Sequence, residues 1–109
     1  MTESEIEKLI DVHPGEYRIL NVDGTESLID ERPTIRRLLL QIGAETIDCV
    51  TLRMTRPAIV MIVDDTGMLD HKPVNQKASE LMRATRGGPD YPYDIHGNVA
   101  IVNDDDFAD

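Results

Sequence analysis

The residues best suited to chemistry lie in one short acidic turn. Asp64, Asp65, Asp70 and His71 follow one another closely, and carboxylate oxygens in such a group could converge on a divalent cation. A turn rich in acidic residues is far more often simply solvated. No pair of cysteine and histidine residues has the spacing of a zinc site either. The sequence therefore predicts no metal site.

Nucleophilic catalysis has little support in the sequence. Cys49 lies in a predicted strand with no neighbouring histidine, and Ser79 lies in a predicted helix without a nucleophile elbow. The glycine pair Gly87-Gly88 lacks the preceding strand and following helix of a phosphate-binding loop. We predict no catalytic residue, no cofactor and a protein that is not an enzyme.

The net charge of −10 is distributed unevenly along the chain. Residues 1–31 carry nine acidic residues against two basic ones, whereas residues 32–56 carry five arginines against two acidic residues. Residues 90–109 carry six acidic residues and no base. The acidic ends could neutralise the central arginines within the fold, or they could form a surface for a basic partner.

These charges define two alternative sets of binding residues. An acidic surface would bind a host protein with a basic surface, for example by mimicking DNA, whereas an arginine cluster would bind a small anionic ligand or a nucleotide. A structural module without a ligand is the third alternative. The acidic set is Glu3, Glu5, Glu7, Asp11, Asp90, Asp94, Asp104, Asp105 and Asp106. The arginine set is Arg32, Arg36, Arg37, Arg53 and Arg56.

Several classes of partner and location are disfavoured by composition. Aromatic residues make up only 4% of the chain, so few side chains could stack on bases, and the acidic ends would repel a phosphate backbone. No apolar run approaches the roughly 20 residues of a membrane span. Cys49 is the only cysteine, and the acidic N-terminus lacks the features of a signal peptide. We predict a cytoplasmic protein that binds neither nucleic acid nor membranes directly.

The strands that would position these residues follow from hydrophobic patterns. The longest apolar run, residues 58–63, is typical of a strand buried on both faces, and residues 98–102 resemble it. Residues 45–54 form a less buried strand that we expect to pair with residues 58–63. An Asp-Gly turn joins two further runs, 17–22 and 25–29, as a hairpin.

Three helices complete the predicted elements. Asn75 provides an N-cap for a helix over 75–85, and Pro33 and Gly43 suit the first turn and the end of a helix over 33–42. Leu40 lies off the apolar face of that helix and could contact another subunit. A short helix is also expected within residues 2–10.

These elements predict one α+β domain over residues 1–103, with a mostly antiparallel sheet and helices packed on it. Residues 1–15 are interpreted as an N-terminal helical addition. Residues 104–109 are interpreted as an acidic flexible tail, because adjacent acidic residues repel one another.

The second half of the chain resembles a known family. The run from Ile62 to Leu69 ends a strand in acid-x-x-Gly-x-Leu, Pro73-Val74-Asn75 follows, and Gly97-Asn98-Val99 leads into the last strand. These motifs, within residues 45–103, resemble a family of small proteins of unknown function carried by phages, plasmids and integrated mobile elements. The resemblance implies a non-essential accessory protein of a mobile element, more often a binder than a catalyst. We predict a non-enzymatic accessory protein of a phage or mobile element that acts by binding a host macromolecule.

Overall fold

Five antiparallel strands form one sheet in the computed structural model, which describes residues 1 to 87 and 93 to 107. The strand order is β2-β1-β5-β4-β3. With three helices packed on the sheet, this architecture confirms the predicted α+β class. The strands are β1 (Tyr17–Leu20), β2 (Glu26–Ile29), β3 (Ile47–Arg53), β4 (Ile59–Asp64) and β5 (Val99–Asn103).

The three helices begin at side-chain caps. They are α1 (Glu3–Ile10), α2 (Ile35–Ile42) and α3 (Gln76–Met82), and α3 continues into one π-helical turn over Arg83–Gly87. Thr2, Thr34 and Asn75 each accept a hydrogen bond from a backbone N–H of the first turn. Pro33 therefore precedes the cap of α2 instead of occupying its first turn. Gly43 ends α2 with φ of 68°, as predicted.

Two hydrophobic clusters cover the two faces of the sheet, because successive strand residues point to opposite sides. Met61 and Val63 of β4 lie in the cluster that contains α1 and α3 residues, whereas Ile62 lies in the cluster that contains α2 residues. Leu9 and Ile10 of α1 are buried in the first cluster. The N-terminal helix is therefore part of the core of this domain. Leu40 of α2 is 77% exposed, and its predicted subunit contact stays a prediction.

The sheet is assembled from two hairpins and one separate strand. β1 pairs with β2, and β3 pairs with β4. β5 pairs antiparallel with β1 on one side and with β4 on the other. The last strand in sequence is therefore the middle strand of the sheet, and all five of its residues are buried.

The predicted acidic flexible tail requires correction over residues 104 to 107. Asp104–Phe107 form a 3₁₀ helix, and Asp106 is only 7% exposed. Its carboxylate accepts a hydrogen bond from the Gly15 N–H at 2.9 Å, and its carbonyl oxygen accepts one from Arg32 at 2.9 Å. Phe107 packs against the α2 side of the core. These contacts fix the segment despite its charge, while residues 108 and 109 lie outside the described residues.

We expect Asp106→Ala to lower the free energy of unfolding by about 1 to 3 kcal/mol, because the partly buried Gly15 N–H loses its acceptor. Urea denaturation at neutral pH measures this change. Asp105→Ala is the matched control, since Asp105 is an exposed neighbouring acid. Equal losses in the two variants would contradict the role assigned to Asp106.

Candidate functional site

The nine predicted acidic residues do not form one continuous free surface. Glu7 forms an ion pair with Arg53 at 2.7 Å, and Asp94 forms one with Arg83 at 2.6 Å. Asp106 is buried as described above, and Asp90 lies outside the described residues. Part of the charge of the acidic ends is therefore neutralised within the fold.

The other members of the acidic set lie at three positions along the fold. Glu3 and Glu5 are exposed in the first turn of α1, where negative charge suits the helix dipole. Asp11 follows α1, and its Oδ1 atom lies 3.3 Å from the Nε2 atom of His13. Asp104 and Asp105 are exposed after β5 and border the loop between β3 and β4.

Two of the five predicted arginines line a common cleft. Arg53 and Arg56 line a cleft of about 550 Å³ between the end of α1 and the β3–β4 loop. Arg32 is bonded to Asp106, and Arg37 forms an ion pair with Glu31. Arg36 is exposed on α2. The predicted arginine cluster is therefore divided, and Glu7 and Asp11 also line the cleft.

A second concave region, not predicted from the sequence, lies at the other end of β4. We call it the acidic groove. Its volume is about 310 Å³, and it lies between β3, the turn after β4 and the segment that precedes β5. Its lining combines apolar and acidic side chains: Asp48, Val63, Asp64, Asp65, Met68, Tyr93, Asp94, Ile95 and His96.

Close backbone packing holds the two walls of the acidic groove together. A side chain at Gly67 would place its Cβ 2.7 Å from the carbonyl oxygen of His96, so only glycine allows this approach. Gly67 is not among the glycines with a positive φ, so its role here is the close contact. The Nδ1 atom of His96 lies 2.8 Å from the carbonyl oxygen of Lys72, which ties the segment before β5 to the end of the turn.

Two of the four carboxylates in the acidic groove are neutralised by cations. Asp64 is buried and bonded to Lys72, and Asp94 is paired with Arg83. Burial alone would raise the pKa of Asp64, but the bonds from Lys72 and the Thr66 N–H outweigh it and hold that pKa below its usual value. Asp64 is therefore a structural anion.

The other two carboxylates supply the free charge of the acidic groove. Asp48 and Asp65 are exposed, and within residues 1–87 and 93–107 neither has a basic side chain at ion-pair distance. An exposed carboxylate can accept charge-assisted hydrogen bonds from an incoming cation. Both acids thus remain available to a partner.

Large apolar side chains are exposed at the same place. Met68 and Tyr93, which line the acidic groove, are 58% and 62% exposed, and Leu69, the next residue after Met68, is 75% exposed. Soluble proteins rarely cluster exposed apolar side chains unless the patch contacts something. The dipeptide Met68-Leu69 directly after an acidic turn was the sequence signal for this surface, but its meaning depends on Tyr93 and Asp48 lying beside it in the fold.

Within the part of the chain that the structure describes, no three His, Cys, Asp or Glu side chains are arranged to hold a metal ion. Asp64 bonds to Lys72, and Asp70 accepts a hydrogen bond from Thr66 at 2.8 Å. The acidic turn is thus organised by protein donors.

No protein-family model, curated protein or solved structure matches this chain. The resemblance to proteins of phages and mobile elements therefore stays a prediction. No helix among the described residues is long and apolar enough to cross a membrane.

Proposed function

We propose that this protein is a non-enzymatic binding protein that holds a basic segment of a partner protein in the acidic groove. The observation that carries the proposal is the juxtaposition of the exposed side chains of Met68 and Tyr93 with the unpaired carboxylates of Asp48 and Asp65. An accessory role in a phage or mobile element rests on the sequence resemblance alone.

A lysine or arginine side chain fits both parts of this surface. Its aliphatic stem can pack on Met68 and Tyr93 while its charged head reaches Asp48 or Asp65. Apolar contact would supply much of the affinity, and the carboxylates would select against acidic partners. A volume of about 310 Å³ accommodates one or two such side chains, so the rest of the segment would lie on the surrounding surface.

This arrangement favours a basic protein segment over extended DNA mimicry. A DNA mimic needs carboxylates in regular array, about one charge per 1.7 Å of duplex axis. Glu7, Asp94 and Asp106 are instead bonded to groups of this chain, and Glu3 and Glu5 lie at the start of α1. A single mixed groove is the better-supported site.

The probe that tests the proposal is a short labelled peptide of alternating Lys and Leu, titrated into the full chain. We expect the peptide to change the NMR amide chemical shifts of this protein mainly around Asp48, Asp65, Met68 and Tyr93. Asp48→Asn combined with Asp65→Asn should weaken binding about fivefold to tenfold, because two partly exposed ion pairs contribute about 0.5 to 0.7 kcal/mol each. Binding should also weaken with added salt.

The matched control removes the same two charges elsewhere. Glu3→Gln combined with Glu5→Gln changes the net charge equally but leaves the acidic groove intact, so affinity should stay near that of the parent. A peptide of alternating Glu and Leu should not bind. Equal weakening in both double variants, or shift changes centred on α1, would reject the acidic groove as the site.

A further inference from the structure

Three cations from three different elements meet at one carboxylate on the α1 and α3 side of the sheet. Glu26 of β2 lies 3.3 Å from Lys8 of α1, 3.2 Å from Arg18 of β1 and 3.3 Å from Lys77 of α3. Three positive charges against one negative charge leave a formal charge of +2. In a chain with a net charge of −10, this local excess is unusual. We call these four residues the Glu26 cluster.

Arg18 is the least satisfied member of the Glu26 cluster. Its side chain is only 9% exposed. One terminal nitrogen donates to Glu26 at 3.2 Å, but the buried Nε atom has no hydrogen-bond partner among the described residues. A buried guanidinium normally has its donors paired, because burial of an unpaired charged group is costly. Within the described part of the chain, Arg18 is thus a buried cation with one unpaired donor, the Nε–H, and it shares its carboxylate with two lysines.

The two lysines lie closer to solvent than Arg18. The Lys8 side chain is 69% exposed and that of Lys77 is 31% exposed, whereas Glu26 is 20% exposed. Burial alone would raise the pKa of Glu26, but bonds and charge from Lys8 and Lys77 lower it, so the carboxylate is ionised at neutral pH. Even with the Glu26 carboxylate ionised, Lys8, Arg18 and Lys77 carry two more positive charges than it neutralises.

We propose that Lys8, Arg18 and Lys77 form a binding site for an oxyanion of the phosphate type, with Glu26 as the resident counterion. A phosphate group carries up to two negative charges and has more acceptor oxygens than a carboxylate. It can therefore match the excess charge and accept bonds from both lysines while Glu26 shifts toward solvent on the edge strand β2. Inorganic phosphate and the phosphate of a monoester share this chemistry.

Two measurements on the full chain test the site: the melting temperature and the NMR chemical shifts of the backbone amides. Both are made in inorganic phosphate, with the ionic strength held constant by sodium chloride. Phosphate should raise the melting temperature above that in chloride, because a ligand that binds the folded state stabilises it. Lys77→Ala should lower phosphate affinity about tenfold, the loss of one charge-assisted hydrogen bond. Shift changes should centre on Lys8, Arg18 and Lys77.

Two further variants locate the effect. Glu26→Gln removes the competing carboxylate, so phosphate affinity should rise about tenfold, and a variant that folds only in phosphate would also support the site. Arg36→Ala removes an exposed cation elsewhere and should change nothing.

Three results would overturn the proposal. They are equal stabilisation by phosphate and chloride, equal phosphate affinity of Lys77→Ala and the parent, and loss of phosphate binding in Arg56→Ala alone. The last result would assign the anion to the cleft lined by Arg53 and Arg56. Binding of phenyl phosphate as tightly as inorganic phosphate would identify a monoester as an acceptable source of the group.

Discussion

Asn75→Asp should destabilise this protein by about 4 kcal/mol or more. Asn75 is fully buried, and its side-chain amide donates to the carbonyl oxygens of Leu20 and Gly97, each at 3.0 Å. Aspartate would place a carboxylate oxygen against both carbonyls, so two acceptors lose their donor and a negative charge is buried. Against a total stability of about 5 to 15 kcal/mol, this loss would unfold much of the protein.

Urea denaturation at neutral pH measures the effect, and the substitution separates two roles of the residue. The Asn75 Oδ1 atom accepts a bond from the Ala78 N–H as the N-cap of α3, and aspartate caps helices as well as asparagine does. The loss therefore reports the two carbonyl contacts and the buried charge, and not the helix cap. Thr34→Asn, at the exposed cap of α2, is the control and should be nearly neutral. A stability of Asn75→Asp close to that of the parent would contradict the role described.

Lys72→Met should destabilise the fold by about 3 to 5 kcal/mol, because it leaves the buried carboxylate of Asp64 without its cation. The Asp64 side chain is only 1% exposed. Lys72 also donates to the carbonyl oxygen of Gly43 at 2.6 Å, so the same substitution removes a bond at the end of α2. Adding Asp64→Asn should restore much of the loss, since no buried charge then remains unpaired. If the double variant were no more stable than Lys72→Met, the loss would come from the missing bond to the Gly43 carbonyl oxygen instead.

The pH dependence of stability gives an independent check on this pair. The pKa of Asp64 is lowered in the folded protein, so its stabilising contribution is present above the unfolded value of about 4 and is lost as pH falls through the folded value. In Lys72→Met, burial should raise that pKa instead. The stability that Lys72→Met loses relative to the parent protein should therefore become smaller as pH falls toward 4.

Local signals predicted much of the fold. The apolar run that became β4, the hairpin of β1 and β2, the Asn75 cap and the Gly43 stop were each visible within a few consecutive residues. Such signals depend on backbone preferences and on the spacing of apolar side chains, which a sequence displays directly.

The candidate sites could not be predicted in the same way, because they depend on contacts between distant residues. Asp106 is fixed by the N–H of Gly15, 91 positions earlier. Lys77 reaches Glu26 across 51 positions. The acidic groove joins Asp48 to Tyr93 only after β3 has paired with β4. Charged residues that are neighbours in the sequence are therefore grouped differently in the fold.

The position of β5 has a consequence for how the chain is made. The two hairpins can form as soon as their own residues are available, because each depends on short-range contacts. Neither β1 nor β4 has its inner neighbour until Val99–Asn103 emerges, since β5 pairs with both. During synthesis from the N-terminus, the inner edges of both hairpins thus stay unpaired until β5 has been made. The two hairpins are therefore most vulnerable to wrong strand pairing in the interval before β5 has left the ribosome.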